Sequence, residues 1–171
     1  MRRNLVFTVL GPDRPGLVER VAEQVKAFDG NWQESRLAHI GDQFAGIIQV
    51  DVPAEREEAF VEALSGLEAT DGLRCQASET ASETGEGSVT TLQCVGQDRP
   101  GIVFALGDAL HDFGVNVEAM DTRFESAPMS GETLFHARFQ VRIEPGTDLE
   151  RLENRLSEIG EELMLDVVFE G

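Results

Sequence analysis

Apolar residues first alternate along the chain and then recur every three or four positions, and this switch happens twice. Leu5-Val6-Phe7-Thr8-Val9-Leu10 has the composition of a strand. After a turn, Leu17, Val18, Val21, Val25 and Phe28 fall at helical spacing. The same offset, 85 residues later, gives Ile102, Val103, Leu106, Leu110 and Phe113, all apolar. Each helix is followed by an asparagine that opens a second strand, Asn31 and Asn116, running to about His39 and Phe124. The next hairpin is longer in the second half, where it holds Ser126-Ala127-Pro128-Met129-Ser130-Gly131.

The third strand carries a period-two apolar face, Phe44, Gly46, Ile48, Val50 and Val52, matched by Phe135, Ala137, Phe139, Val141 and Ile143. Between them stand Gln49, Asp51, Arg138 and Arg142, which predicts an antiparallel sheet with helices covering only its apolar side. A second helix follows Pro53 (Phe60, Leu64, Leu67) and again Pro145 (Leu152, Leu156, Ile159). A last strand closes each unit, Leu73, Cys75 and Ala77 against Leu165, Val167 and Phe169. The fold class expected is α+β: two ferredoxin-like βαββαβ domains, each an antiparallel four-stranded sheet with two helices on one face. The expected boundaries are 1–78 for the first domain, 79–88 for a Ser, Thr, Gly and Glu linker, and 89–171 for the second.

Charge narrows the partners. Against 14 Lys and Arg stand 32 Asp and Glu, a net charge of −18, which opposes direct binding to DNA, RNA or anionic membranes. Any control of genes would run through another protein. Glu55, Glu57, Glu58, Glu62, Glu158, Glu161 and Glu162 read as solvated helix faces; a salt-rich habitat or an Arg-biased genome, with Lys26 the one lysine, is the alternative. Met1-Arg2-Arg3 and the apolar stretch to Leu10 have a signal-peptide flavour, but Gly11-Pro12-Asp13 cuts that stretch short, and no segment approaches a membrane span. The expectation is a cytoplasmic protein without cofactor or metal, because Cys75, Cys94, His39, His111 and His136 lack ligand spacing and read as structural.

The candidate chemistry lies in the repeated turn, Gly11-Pro12-Asp13-Arg14-Pro15-Gly16 and Gly96-Gln97-Asp98-Arg99-Pro100-Gly101. Read as structure alone, it is a helix start, with Asp13 as N-cap accepting from the Gly16 N–H and Pro15 in the first turn. Read as a site, it holds an α-amino acid. Backbone N–H groups near Gly16 and Leu17 suit the carboxylate; Asp13 and the side-chain carbonyl of Asn31, expected beside this loop, suit the ammonium. Gly11 and Pro12 complete the first candidate site. Gly96, Gln97, Asp98, Gly101, Ile102 and Asn116 form the second. No Ser-His-Asp set, carboxylate pair or phosphate-cradling loop can be assembled, so no catalytic residue and no enzyme is expected.

A strand, then Asp-Arg-Pro-Gly-apolar-Val, then an amphipathic helix ending near Gly-x-Asn resembles the ACT domain, and both halves match. The first half, with Leu10 to Val18, Ser35-Arg36-Leu37-Ala38, Gly41 and Phe44, resembles the glycine cleavage repressor branch of that family. That branch has a degenerate second loop, whereas Asp98-Arg99-Pro100-Gly101 is intact here. The resemblance implies a tandem ACT regulator that senses a small amino acid, glycine or similar. It would act on a transcriptional activator of glycine cleavage genes, or on a metabolic enzyme, as a homo-oligomer with the ligand held between ACT domains. A constitutive protein-interaction module without ligand, or a regulatory enzyme subunit, is the alternative. The loop is also similar to the ACT segment of formyltetrahydrofolate deformylases, whose catalytic domain is not expected here.

Overall fold

The computed structural model describes residues 1–79, 86–126, 131 and 133–170. Two compact units divide the chain, Met1–Glu83 and Thr84–Gly171. The first runs β1 (Arg2–Pro12), α1 (Leu17–Ala27), β2 (Asn31–Ile40), β3 (Gln43–Pro53), α2 (Glu57–Asp71) and β4 (Arg74–Glu79). The second repeats that order as β5 (Ser88–Gln97), α3 (Ile102–Asp112), β6 (Asn116–Ser126), β7 (Thr133–Ile143), α4 (Leu149–Leu163) and β8 (Leu165–Glu170). Most of the expected linker, residues 80–85, and the hairpin residues 127–130 lie outside the described residues.

Each unit has one four-stranded antiparallel sheet, ordered β2-β3-β1-β4 and β6-β7-β5-β8. The helix after the first strand carries the chain across to the far edge, and the next strand returns between the two. Both outer strands bulge near their start, at Trp32/Glu34 and at Val117/Ala119.

The period-two face is buried as the spacing predicts. Leu5, Phe7, Val9, Phe44, Ile48, Val50 and Val52 meet Leu17, Val21, Val25, Phe60, Leu64 and Leu67 from the helices. Phe7 packs edge-on against Phe60, ring centroids 6.0 Å apart. In the second unit Leu92, Phe139 and Val141 meet Ile102, Leu106, Leu110, Leu152, Leu156 and Ile159. Val18 and Val103 depart from the expectation, at 47% and 40% exposed. One step along a helix turns a side chain by about 100°, so they leave the core stripe for the flank, where no second layer stands.

The faces turned away from the helices differ between the units. In the first, Leu10, Ala38, Ala45 and Ile47 form an apolar stretch beside Thr8, Arg36 and Gln49. In the second the matching strands present Gln93, Val95, Asp121, Arg123, His136 and Arg138.

Candidate functional site

Both repeated turns deliver the chain from a central strand to a helix through a left-handed glycine. Gly16 has φ +90° and Gly101 φ +93°, a conformation that L side chains adopt only under strain. These glycines, and not Asp13 or Asp98, occupy the N-cap position, and no side chain caps either helix. The expected Asp13 cap is therefore corrected. Pro15 lies ahead of the helix, which starts at Leu17, so Asp13 stands three residues before the N-cap. The first intrahelical bonds are Arg20 N–H to Gly16 and Ala105 N–H to Gly101, at 3.0 and 2.9 Å. The amides of Leu17, Val18 and Glu19, and those of Ile102, Val103 and Phe104, are left without an intrahelical acceptor. They form the donor set that a carboxylate would use.

Gly11 and Gly96 have a packing role. A Cβ on Gly11 would stand 2.5 Å from the Gly72 carbonyl oxygen, and one on Gly96 would stand 2.5 Å from that of Met164. The strand end and the end of α2 or α4 thus touch backbone to backbone. Pro12 and Gln97 are the exposed last residues of β1 and β5.

The two aspartates hang from equivalent backbone bonds, Asp13 N–H to Asp42 at 2.8 Å and Asp98 N–H to Thr133 at 3.2 Å. Their carboxylates differ. Asp13 Oδ2 meets His39 Nδ1 at 3.1 Å, with His39 Nε2 on the Gly41 carbonyl at 2.6 Å. Among the described residues the Asp98 carboxylate makes neither a hydrogen bond nor an ion pair.

Arg14 of the first loop reaches the Asp71 carbonyl at the end of α2 and stands 3.3 Å from its carboxylate. Arg20, one turn into α1, pairs with the same carboxylate at 3.2 Å, and Thr70 donates to it at 2.7 Å. The Thr70 hydroxyl, then Arg20, hold the Asp71 carboxyl below its ordinary value, and Asp71 in turn raises Arg20. The sequence reading missed this network. The signal was a difference between repeats, since Arg20 and Asp71 correspond to Ala105 and Leu163. The second loop has only Arg99, with Gln97 and the Met164 sulfur each at 3.5 Å.

The asparagines do not lie beside their own loops, contrary to expectation. Asn31 pairs with Asp51 near the end of β3, whereas the loop follows Pro12, which pairs with Gln43 at its start. Eight residues at about 3.4 Å each put roughly 27 Å between them. Asn116 and the second loop are separated in the same way, by Arg142 and Leu134 of β7. The physical reason is the crossover: α1 runs antiparallel to β1, so β2 starts at the sheet end from which β1 departs. Asn116 donates to Glu118 at 3.1 Å, and Arg142 followed by Asn116 lowers the Glu118 carboxyl.

Burial pushes both thiols, Cys75 and Cys94, up to about 11, with Glu68 and Asp166 adding to it. Both stay protonated and inert at neutral pH. Among the described residues no group of His, Cys, Asp and Glu could hold a metal ion.

Residues 3–78 match the model of the ACT domain family. A 44-residue stretch is 43% identical to the glycine cleavage system transcriptional repressor of Escherichia coli (strain K12), and equally to that of Shigella flexneri. The stretch is 26% of this chain and 23% of those proteins, so less than a quarter of either curated relative is matched. Among solved structures, a protein of unknown function from Galdieria sulphuraria superposes with TM-score 0.88 and 28% identity, over 99% of this chain and 98% of that one. A protein provisionally assigned as a glycine cleavage system transcriptional repressor gives TM-score 0.70 at 18% identity, over 99% and 97%, a likeness of fold.

Proposed function

Starting from a chain whose first half belongs to the ACT domain family and whose second half repeats that fold, we propose that it is an amino-acid-responsive regulator, not an enzyme. The observation that carries this reading is the repeated helix start: two left-handed glycines, each followed by three backbone donors free of intrahelical acceptors. The carboxylate of a small amino acid docks on the amides of residues 17–19 or 102–104. Its ammonium turns toward Asp13 or Asp98. Since each loop lies about 27 Å from its own asparagine, Asn31 or Asn116 completes a site only from a second ACT unit.

The effector in this reading is glycine or a similar small amino acid, and the target is a protein, a transcriptional activator of glycine cleavage genes or a metabolic enzyme. The relatedness to the repressor supports the first target. A net charge of −18 speaks against direct contact with nucleic acid. No helix among the described residues is long and apolar enough to cross a membrane.

Calorimetric titration of the full chain with a panel of amino acids tests the reading. Binding is expected for a small member and should weaken at least tenfold in Asp98→Asn. A folded sample that gives no heat with any of them removes the sensor function. That result would favour a constitutive interaction module, the reading that the His39 contact to Asp13 supports for the first loop.

A further inference from the structure

The helix-free face of the second sheet holds a depression of about 270 Å³ between β5, β6 and β7, lined by Gln93, Val95, Asp121, Arg123, His136 and Arg138 among others. Asp121 and Arg138 are direct cross-strand partners on that face, one on β6 and one on β7. Opposite charges so placed ordinarily close on one another. Here they stand apart: Arg138 turns across β5 to Glu170 at 3.2 Å, and the Asp121 carboxylate has no hydrogen bond or ion pair among the described residues. One pair along, Arg123 leans to Glu125 at 3.8 Å, and His136 Nε2 lies 3.2 Å from the same carboxylate without a directed hydrogen bond. The cavity therefore opens between a carboxylate that has no partner among the described residues and two guanidinium groups, Arg138 hydrogen-bonded to Glu170 and Arg123 at 3.8 Å from Glu125.

The corresponding face of the first unit carries Arg36, Ala38, Ala45 and Ile47 and has no such arrangement. Arg123, Arg138 and Arg142 stand on β6 and β7 among Glu118, Asp121 and Glu125, beside one of the three histidines of the chain. A face of mixed sign, on which the Asp121 carboxylate has no partner among the described residues, is matched by a ligand bearing both signs.

We propose that this depression binds a small zwitterion, its carboxylate between Arg138 and Arg123 and its ammonium on Asp121. The site is separate from the helix-start loops and does not rest on their reading. It adds a ligand position that the first unit lacks, on a sheet face and not at a helix terminus.

Amide NMR of the full chain, titrated separately with glycine, glutamine, acetate and methylammonium, decides the matter. Glycine or glutamine should shift the amides of residues 93–95, 121–123 and 136–138, while acetate and methylammonium at equal concentration should not. Asp121→Asn and Arg138→Gln should each weaken that response at least tenfold and leave any response at residues 13–19 and 98–104 intact. The proposal is overturned if both amino acids leave the face unmoved, if acetate alone reproduces the shifts, or if both variants respond like the parent chain.

Discussion

The loop at residues 11–16 is held from several sides, and the loop at 96–101 by very little, although their helix-starting glycines differ by only 3° in φ, +90° against +93°. In the first, His39 takes Asp13, and Arg14 and Arg20 converge on Asp71. In the second, Phe124 stands where His39 does, Ala105 where Arg20 does, and Leu163 where Asp71 does. The same backbone persists without the charges. What the two loops share, a close-packed glycine and a left-handed one around a proline, is thus what shapes the turn, and the ionic network is an addition that fixes side chains already in place. The first loop presents a carboxylate that is engaged, and the second presents one without a partner among the described residues.

The largest test of that division strikes the shared part. Gly11→Ala and Gly96→Ala each drive a Cβ to 2.5 Å from a carbonyl oxygen, and each should cost about 1–3 kcal/mol, measured by urea denaturation. Equal losses in both variants would support a backbone-defined turn; a loss in the first unit alone would break the comparison.

Next comes the point where α2 and α4 end. Gly72 closes α2 at φ +68°, while Met164 does the same work at φ +54° with a side chain. Met164→Gly should stabilise the second unit by up to about 1 kcal/mol, seen as a higher melting temperature. Gly72→Ala should lower stability by a similar amount.

Asp71→Asn removes the anchor that only the first loop has. Hydrogen exchange at residues 14–20 is expected to speed up several-fold, with residues 99–105 unchanged. If both loops respond alike, the network is not what distinguishes them.

The smallest effect is that of acid. A carboxyl held below its ordinary value stabilises the fold fully above the unfolded value of about 3.9, and this contribution disappears as pH falls through the lower folded value. Below about pH 4, exchange protection at the first loop should therefore decline further than at the second, once intrinsic rates are corrected for.

The sheet, its helices and both cores were legible because burial follows spacing. Phe44, Ile48, Val50 and Val52 alternate, and Phe60, Leu64 and Leu67 recur at helical intervals. Val18 failed because it sits beside the stripe, and period alone does not say how wide a single helix layer covers. The loop was found by repetition, but its geometry was not. A capping aspartate and a left-handed glycine before the first turn are both compatible with Asp-Arg-Pro-Gly, and only the dihedral angle chose between them. The position of Asn31 required strand direction, which residue types do not carry. The Arg14, Arg20 and Asp71 network joins residues 51 and 57 apart in sequence, beyond any local pattern.

Placing the loop and its asparagine at opposite ends of one sheet also sets a thermodynamic rule. A ligand that needs both must hold two units at once, so it acts as a cross-link and its occupancy is linked to association. If the two units of one chain supply the halves, the tether fixes an effective concentration, and apparent affinity is independent of how much protein is present. If two chains supply them, apparent affinity rises on concentrating the protein. A simple dilution series thus reads out which pair of units would share such a ligand.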